Sequence, residues 1–113
     1  MDTTAWMSQL NRGLLELFVL NLLERESMHG YELVKRVNQM EGFVVAEGTI
    51  YPLLSCMKQD GLVQTTFVES PNGPMRKNYQ LTDAGRQARQ EMNRIWLHVC
   101  AMVQLTTGTG SPS

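Results

Sequence analysis

One stretch of the chain interrupts a sequence in which apolar residues otherwise recur at helical spacing. The segments LVQTTFVE (62–69) and MRKNYQL (75–81) are rich in β-branched and aromatic residues, and they flank SPNGP. Asn72 and Gly73 tolerate the positive φ angles that a tight hairpin turn requires, and a proline stands on each side of them. The pattern predicts a β-hairpin with Asn72-Gly73 at its tip.

Four other segments carry apolar residues at the i, i+3, i+4, i+7 positions that form one face of a helix. A brief extended stretch, FVVA (43–46), separates the second segment from the third, and Thr82 has the hydroxyl of a helix N-cap before the last one. The predicted helices run from Leu10 to about Glu26, from Gly30 to near Gly42, from about Gly48 to Asp60, and from Thr82 to about residue 105.

Pro52 lies inside the third helical pattern, whose apolar face is formed by Ile50, Leu53, Leu54 and Met57. Proline lacks an N–H and fixes φ, so it is tolerated where a helix has not yet begun its internal hydrogen bonds. The proline therefore predicts that the helix cap is at or next to Gly48 or Thr49, with Tyr51 in the first turn. Gly61 suits the stop at the other end.

The predicted order of elements is helix, helix, helix, hairpin, helix. This is the order of a winged-helix domain, a mainly α fold with a small β-hairpin, a three-helix core and a wing. Order alone is not decisive, because other small α+β domains share it. The chain is divided into an N-terminal arm (1–9), a winged-helix domain (10–81), a C-terminal helix (82–105) and a tail of disordered composition (106–113).

Charge and cysteine content limit the function classes. The formal net charge of −1 gives no global electrostatic argument for nucleic acid, so any such claim must rest on local arrangement. Cys56 and Cys100 are far apart in sequence, which favours two reduced thiols in the cytoplasm over a disulfide or a zinc site. The segment LLELFVLNLL is too short to span a bilayer, so we expect a soluble cytoplasmic protein.

Four blocks together resemble the PadR family of bacterial transcriptional regulators: MHGYELVKRV (28–37), EGTIYPLL (47–54), DGLV (60–63) and SPNGPMRKNYQLTDAGR (70–86). The short length is similar to that of the compact subfamily with one long helix after the wing. The resemblance implies a homodimer, built mainly through the C-terminal helix, that binds operator DNA. It also implies repression as the usual outcome and, in many members, release by a small, often aromatic, effector.

Candidate DNA contacts come from the second helix, the third helix and the wing. The resemblance maps the start of the recognition helix onto Thr49 and Tyr51, and the basic residues of the wing onto Arg76 and Lys77. Helix N-termini hold phosphate through unpaired N–H groups, which favours Gly48 as well. The predicted contacts are Tyr31, Lys35, Arg36, Gly48, Thr49, Tyr51, Ser55, Lys58, Asn72, Arg76 and Lys77.

Ordinary explanations stay open for several of these residues. Ser55 belongs equally well to the polar face of any amphipathic helix, and Lys35 and Arg36 to a solvated surface pair. Arg76 would lie opposite Glu69 across a two-residue turn, where the two form a common cross-strand couple. His29 is predicted to be a capping residue rather than a metal ligand.

The last helix predicts a partner. Its apolar stripe from Ala88 to Val103 is roughly 24 Å long at 1.5 Å per residue, more than a small three-helix core covers. A symmetric dimer would bury it. Trp96, with Trp6 from the arm, either lines a cavity for a flat ligand or is a plain interface anchor. The predicted interface consists of Leu10, Leu14, Met92, Ile95, Trp96, Val99, Met102 and Val103.

Catalysis is not expected, because the sequence offers no nucleophile, base and orienting group in one place. His98 and Cys100 are two residues apart on a helix and do not share a face, so no metal site is predicted there. We expect no cofactor. A competing hypothesis is a winged-helix dimer that serves as a protein-interaction or ligand-binding module without operator recognition.

Overall fold

The computed structural model describes residues 2–40 and 45–108 of the chain. Within these residues the chain forms four helices and one antiparallel sheet of strand order β1-β3-β2. The predicted fold class, mainly α with a hairpin wing, is confirmed, with one additional short strand. The elements are α1 (Thr4–Arg25), β1 (Met28–His29), α2 (Gly30–Asn38), α3 (Glu47–Gln59), β2 (Val63–Ser70), β3 (Gly73–Leu81) and α4 (Asp83–Thr107).

The core lies where α1, α2 and α3 meet the base of the hairpin. The apolar face predicted for α3 is confirmed: Ile50, Leu54 and Met57 are fully buried, and Leu53 packs half-buried against the cluster. Removing such side chains from water is the main stabilising contribution to a domain of this size. The buried cluster consists of Leu15, Val19, Leu20, Leu23, Met28, Leu33, Val34, Val37, Ile50, Leu54, Met57, Val63, Tyr79 and Leu81.

Strand β1 was missed in the sequence analysis, because two residues are too few to have a periodicity. Met28 pairs with Tyr79 and His29 with Asn78. The side chains of Met28 and Tyr79 are both buried, so their packing in the core stabilises the pairing. Through it the base of the wing is attached to the chain that enters α2.

The hairpin is confirmed, but its tip is not where the sequence analysis put it. Ser70 pairs with Gly73, so the turn residues are Pro71 and Asn72, and neither Asn72 nor Gly73 has a positive φ. The sequence Ser-Pro-Asn-Gly has the residues that a type I turn favours, with the fixed φ of proline in second place. Type I turns fit the twist of a hairpin poorly, and a register shift between residues 68 and 70 accompanies this one.

Three helix boundaries differ from their predicted positions. Helix α1 begins at Thr4, so most of the predicted arm is helical; the side chain of Asp2 accepts from the Thr4 N–H at 2.9 Å. Helix α2 ends at Asn38, and the predicted stop near Gly42 and the start of the FVVA stretch lie outside the described residues. Helix α4 continues to Thr107 and ends at Gly108 in a left-handed conformation, while residues 109–113 of the predicted tail are not described.

The expectation for the start of α3 was wrong by two to three residues. The N-cap is Ala46, so Gly48 is in the first turn and Pro52 lies inside the helix. A proline there cannot bond to the carbonyl four residues earlier, and tertiary packing of the buried face outweighs that loss. The predicted stop is confirmed, since Gly61 has φ +77° and the Gly61 and Leu62 N–H groups bond back to Lys58 and Met57.

A close approach fixes the start of α4 against the end of α3. The hydroxyl of Thr82 accepts from the Gly85 N–H at 3.0 Å, which confirms the predicted N-cap, and donates to the Gly61 carbonyl at 2.5 Å. Gly85 is buried, and a β-carbon there would lie 2.0 Å from the carbonyl oxygen of Leu62. The missing side chain is therefore what lets the backbone of α4 lie on this loop.

We expect Gly85→Ala to lower the free energy of unfolding by about 2 kcal/mol, because the clash with backbone outweighs the better helix propensity of alanine. Gly13→Ala in α1 is the matched control: no neighbour lies within 4 Å of the new β-carbon, so stability should rise by roughly 0.5–1 kcal/mol. Urea unfolding at fixed protein concentration measures both. Equal effects would show that the close approach at Gly85 is unimportant.

Candidate nucleic-acid interface

A cleft of about 580 Å³ lies between the start of α2, the first turns of α3 and strand β3. We call it the wing cleft. Five of the predicted DNA contacts line it: Tyr31, Lys35, Tyr51, Arg76 and Lys77. These five residues come from three elements, and they bring three basic side chains and two phenols to one concave surface. The full lining is His29, Gly30, Tyr31, Glu32, Lys35, Tyr51, Arg76, Lys77 and Tyr79.

Tyr51 is positioned by a glycine on the neighbouring helix. A β-carbon at Gly30 would lie 2.3 Å from Cε1 of the Tyr51 ring, so the ring occupies the space that any other residue would fill. Burial raises the pKa of Tyr51, and Glu47 and Tyr31 raise it further. Burial also raises the pKa of Tyr79 behind it. Tyr51 is therefore a protonated phenol at neutral pH, able to donate a hydrogen bond from the cleft wall.

The two basic residues of α2, Lys35 and Arg36, have different surroundings. Arg36 bonds to Glu32 at 2.7 Å and to Glu26 at 3.0 Å, and the bond from Arg36 is the main cause that lowers the pKa of Glu32. The guanidinium is thus engaged by two carboxylates, an arrangement closer to an ordinary surface pair than to a phosphate contact. Lys35, one residue earlier, lines the wing cleft instead.

The other predicted contacts are exposed outside the wing cleft. Thr49 lines a second cleft, of about 440 Å³, that α3 forms with the first half of α1, including Asn11 and Arg12. All the predicted DNA contacts that lie on α3 are exposed to solvent, whereas its apolar face is buried. Exposed residues predicted to contact DNA but lying outside both clefts are Gly48, Ser55, Lys58 and Asn72.

The register of the hairpin separates Arg76 from its expected partner. Arg76 lies opposite Val68 rather than Glu69. The turn at Pro71 and Asn72 would by itself put Arg76 opposite Phe67, and the irregularity between residues 68 and 70 moves the pairing back by one residue. The expected cross-strand couple with Glu69 is therefore wrong. Nη1 of Arg76 lies 3.0 Å from Nε2 of His29 instead.

His29 is a cleft residue that the sequence analysis did not include among the DNA contacts. Its Nδ1 accepts from the Glu32 N–H at 3.1 Å, which confirms the predicted capping role. Its ring is also stacked on Tyr31, with centroids 6.4 Å apart and an interplanar angle of 15°. The contact between His29 and Arg76 follows from the β1–β3 ladder, in which His29 pairs with Asn78, two residues from Arg76. The sequence alone does not reveal it, because the strand pairing must be known first.

A separate apolar groove of about 180 Å³ lies between α1 and α4. Towards the end of α4, Val99, Met102 and Val103 are 40%, 51% and 55% exposed, which leaves this part of the predicted stripe open to solvent, whereas Ala88 and Met92 pack against the core. Trp96 is half-buried in the groove, whereas Trp6 is 63% exposed near the start of α1. Leu10 is half-buried on α1. The groove is lined by Gly13, Leu14, Leu17, Met92, Ile95, Trp96 and Val99.

The described residues contain neither a metal-binding cluster nor a membrane-spanning helix. No cluster of three or more His, Cys, Asp or Glu side chains is placed to hold a metal ion. No helix in the same part of the chain combines the length and the apolar character needed to cross a membrane.

Comparison with known proteins places this geometry in a family. The model of the transcriptional regulator PadR-like family matches residues 19–91, which include α2, α3, the wing and the first third of α4. A PadR-like transcriptional regulator from Bacillus cereus has a crystal structure that is 35% identical, with a TM-score of 0.80, over 91% of this chain and 99% of that one.

Two further relatives differ in length from this chain. The transcriptional regulator YqjI of Escherichia coli is 33% identical over 81 residues, which are 70% of this chain but 37% of that protein. The structure of Bacillus subtilis PadR in complex with operator DNA has the same fold, with 23% identity and a TM-score of 0.64 over 70% of this chain and 45% of that one. With the family model matching most of its length, the chain belongs to the PadR-like family of transcriptional regulators, which are not enzymes.

Proposed function

We propose that the protein is a homodimeric, cytoplasmic repressor that binds operator DNA with the wing cleft and the exposed face of α3. One observation carries the proposal: basic and phenolic side chains from α2, α3 and β3 converge on one cleft of a chain whose net charge is −1. Local concentration of positive charge is what a DNA-binding surface requires, whatever the overall balance. The operator-bound state of Bacillus subtilis PadR supports the same assignment.

In this proposal α3 enters the major groove. The exposed Thr49 and Ser55 reach base edges or phosphates, Tyr51 donates its phenolic hydrogen, and Lys58 contacts phosphate further along. Beside the groove, Lys35 and Lys77 bind the backbone from α2 and the wing. Contacts to phosphate set the position of the protein on the duplex, and contacts to base edges specify its sequence.

The apolar face of α4 supports a dimer of this chain. Side chains such as Ile95 and Met102 are about half exposed, and a self-complementary contact between two copies would remove them from water. Two copies related by a two-fold axis would present their α3 helices to successive major grooves about 34 Å apart on a pseudo-palindromic operator. Trp96 would then lie beside the interface, where a small aromatic effector that relieves repression could stack on its ring.

Binding to DNA should fall steeply with salt. Each neutralised phosphate contributes about −0.9 to the slope of log K against log salt concentration for duplex DNA. Lys77→Ala should make the slope shallower by about 1. The test is fluorescence anisotropy on the DNA directly upstream of the gene, across a salt series. Arg94→Ala is the matched control, because it removes the same charge from a residue that pairs with Glu91 on α4.

A salt-independent or absent interaction of the unaltered protein would contradict operator binding. It would favour instead the winged-helix dimer that acts as a protein-interaction or ligand-binding module. Equal slopes for Lys77→Ala and Arg94→Ala would show that the wing does not contact phosphate.

Gly30→Ala should impair DNA binding while leaving the fold intact. The new β-carbon would meet the far end of the Tyr51 ring, which can move, so the main consequence is displacement of that ring from the cleft wall. We expect an affinity loss of about tenfold, equal to one lost hydrogen bond to a charged group, in the same anisotropy assay. Tyr51→Phe should give a comparable loss, and thermal unfolding should confirm that both variants are folded.

Met102→Glu should dissociate the dimer, because it puts a charge on the exposed C-terminal part of the apolar stripe. Met102 is half exposed within the single chain, so the change should leave the fold of the protomer intact. Sedimentation equilibrium measures the outcome. Leu97→Glu is the matched control: Leu97 is 69% exposed on the opposite side of α4, so the dimer should persist. The reverse result would mean that the partner binds the other face of the helix.

A further inference from the structure

Both ring nitrogens of His29 face hydrogen-bond donors. Nδ1 lies 3.1 Å from the backbone N of Glu32, and Nε2 lies 3.0 Å from Nη1 of Arg76. A neutral imidazole has one acceptor nitrogen, and an arginine guanidinium has donors only. Only one of these two contacts is therefore a hydrogen bond.

The capping contact is the one that must be satisfied. The N–H of Glu32 belongs to the first turn of α2, is partly buried and cannot rotate away from the ring. An N–H left unsatisfied at a helix start destabilises the helix. Arg76 is exposed, so rotation of its side chain can turn the guanidinium to solvent. His29 therefore accepts at Nδ1 and carries its hydrogen on Nε2, so an imidazole N–H and a guanidinium N–H face each other in the wing cleft.

Two converging donors are complemented by an oxygen anion. We propose that His29 Nε2–H and the Arg76 guanidinium form a phosphate subsite of the wing cleft, which takes one backbone phosphate of the bound duplex. The inference rests on the proposed function and adds His29 to its contacts. Phosphate oxygens accept several hydrogen bonds at once, so a single phosphate satisfies both groups.

The charges around the pair favour an anion at this point. Lys35 from α2 and Lys77 from β3 line the same cleft. The carboxylate that lines it, Glu32, is bonded by Arg36 at 2.7 Å, which offsets its negative charge. Arg36 thus contributes to phosphate binding by neutralising Glu32.

Strand β1 supplies the geometry of the subsite. His29 pairs with Asn78 on β3, and Arg76 is the next residue on the same face of that strand. The ring is further oriented by its stacking on Tyr31. The His29 ring is therefore held in place before any ligand arrives, and the strand pairing puts the backbone of Arg76 close enough for its guanidinium to reach the same point.

His29→Asn tests the subsite. The Asn side-chain oxygen can accept from the Glu32 N–H and keep the cap, but Asn has no group at the place of Nε2. His98→Asn on α4 is the control, since it changes the other histidine of the chain. Affinity is measured by anisotropy at low salt on two duplexes of equal length, the upstream DNA and one of arbitrary sequence.

We expect His29→Asn to weaken binding to both duplexes by about tenfold, because a phosphate contact is independent of sequence, while His98→Asn binds like the unaltered protein. Unchanged affinity of His29→Asn, or a loss confined to the upstream DNA, would overturn the subsite while leaving operator binding intact. If the unaltered protein binds neither duplex, the proposed function itself fails. Should His29→Asn not fold, His29→Ser offers another cap and the same readout.

Nitrogen-15 NMR of the histidine rings gives a measurement that does not involve DNA. The subsite requires the tautomer with hydrogen on Nε2 of His29 and none on Nδ1. Hydrogen on Nδ1 instead would mean that Arg76 is bonded to the ring, and would overturn the proposal.

Discussion

The antiparallel pairing of Met28 and His29 with the end of β3 is the contact on which the functional surface depends. It is two residues long, yet it attaches the wing to the chain just before α2 and buries Met28 against Tyr79. Without it β3 would be an unpaired edge beside α2, and the hairpin would be held only at its base, by Val63, Tyr79 and Leu81 in the core. With it, the basic residues of β3 are held at a fixed place beside the first turn of α2.

Close packing of backbone then positions the side chains that complete the surface. The absence of a side chain at Gly30 lets the Tyr51 ring lie against the start of α2, and the absence of one at Gly85 lets α4 lie on the loop after α3. Both glycines belong to helices, where alanine would have the better propensity. Their presence is explained by the neighbouring atoms rather than by backbone conformation.

Electrostatics in this protein is local. The chain carries 10 Lys and Arg against 11 Asp and Glu, so nothing in its total charge attracts DNA. Ion pairs within and between helices engage Arg36, Arg86 and Arg94. Lys35, Arg76 and Lys77 instead line the wing cleft, so the acidic residues balance the charge of the molecule without cancelling it at this surface.

Features encoded within a few residues were determined by the sequence alone: the buried face of α3, the caps at Thr82 and His29, the stop at Gly61, and the presence of a wing. The resemblance of four sequence blocks to the PadR family indicated the family. Only the tertiary structure decided the contacts between distant segments, including strand β1, the register that puts Arg76 opposite Val68, and the approach of Arg76 to His29, 47 positions earlier. The physical reason is that periodicity and capping are local, whereas strand pairing depends on how the core packs. Pro52 illustrates the limit, because the packing of Ile50 and Leu54 keeps it inside a helix that propensity would have started later.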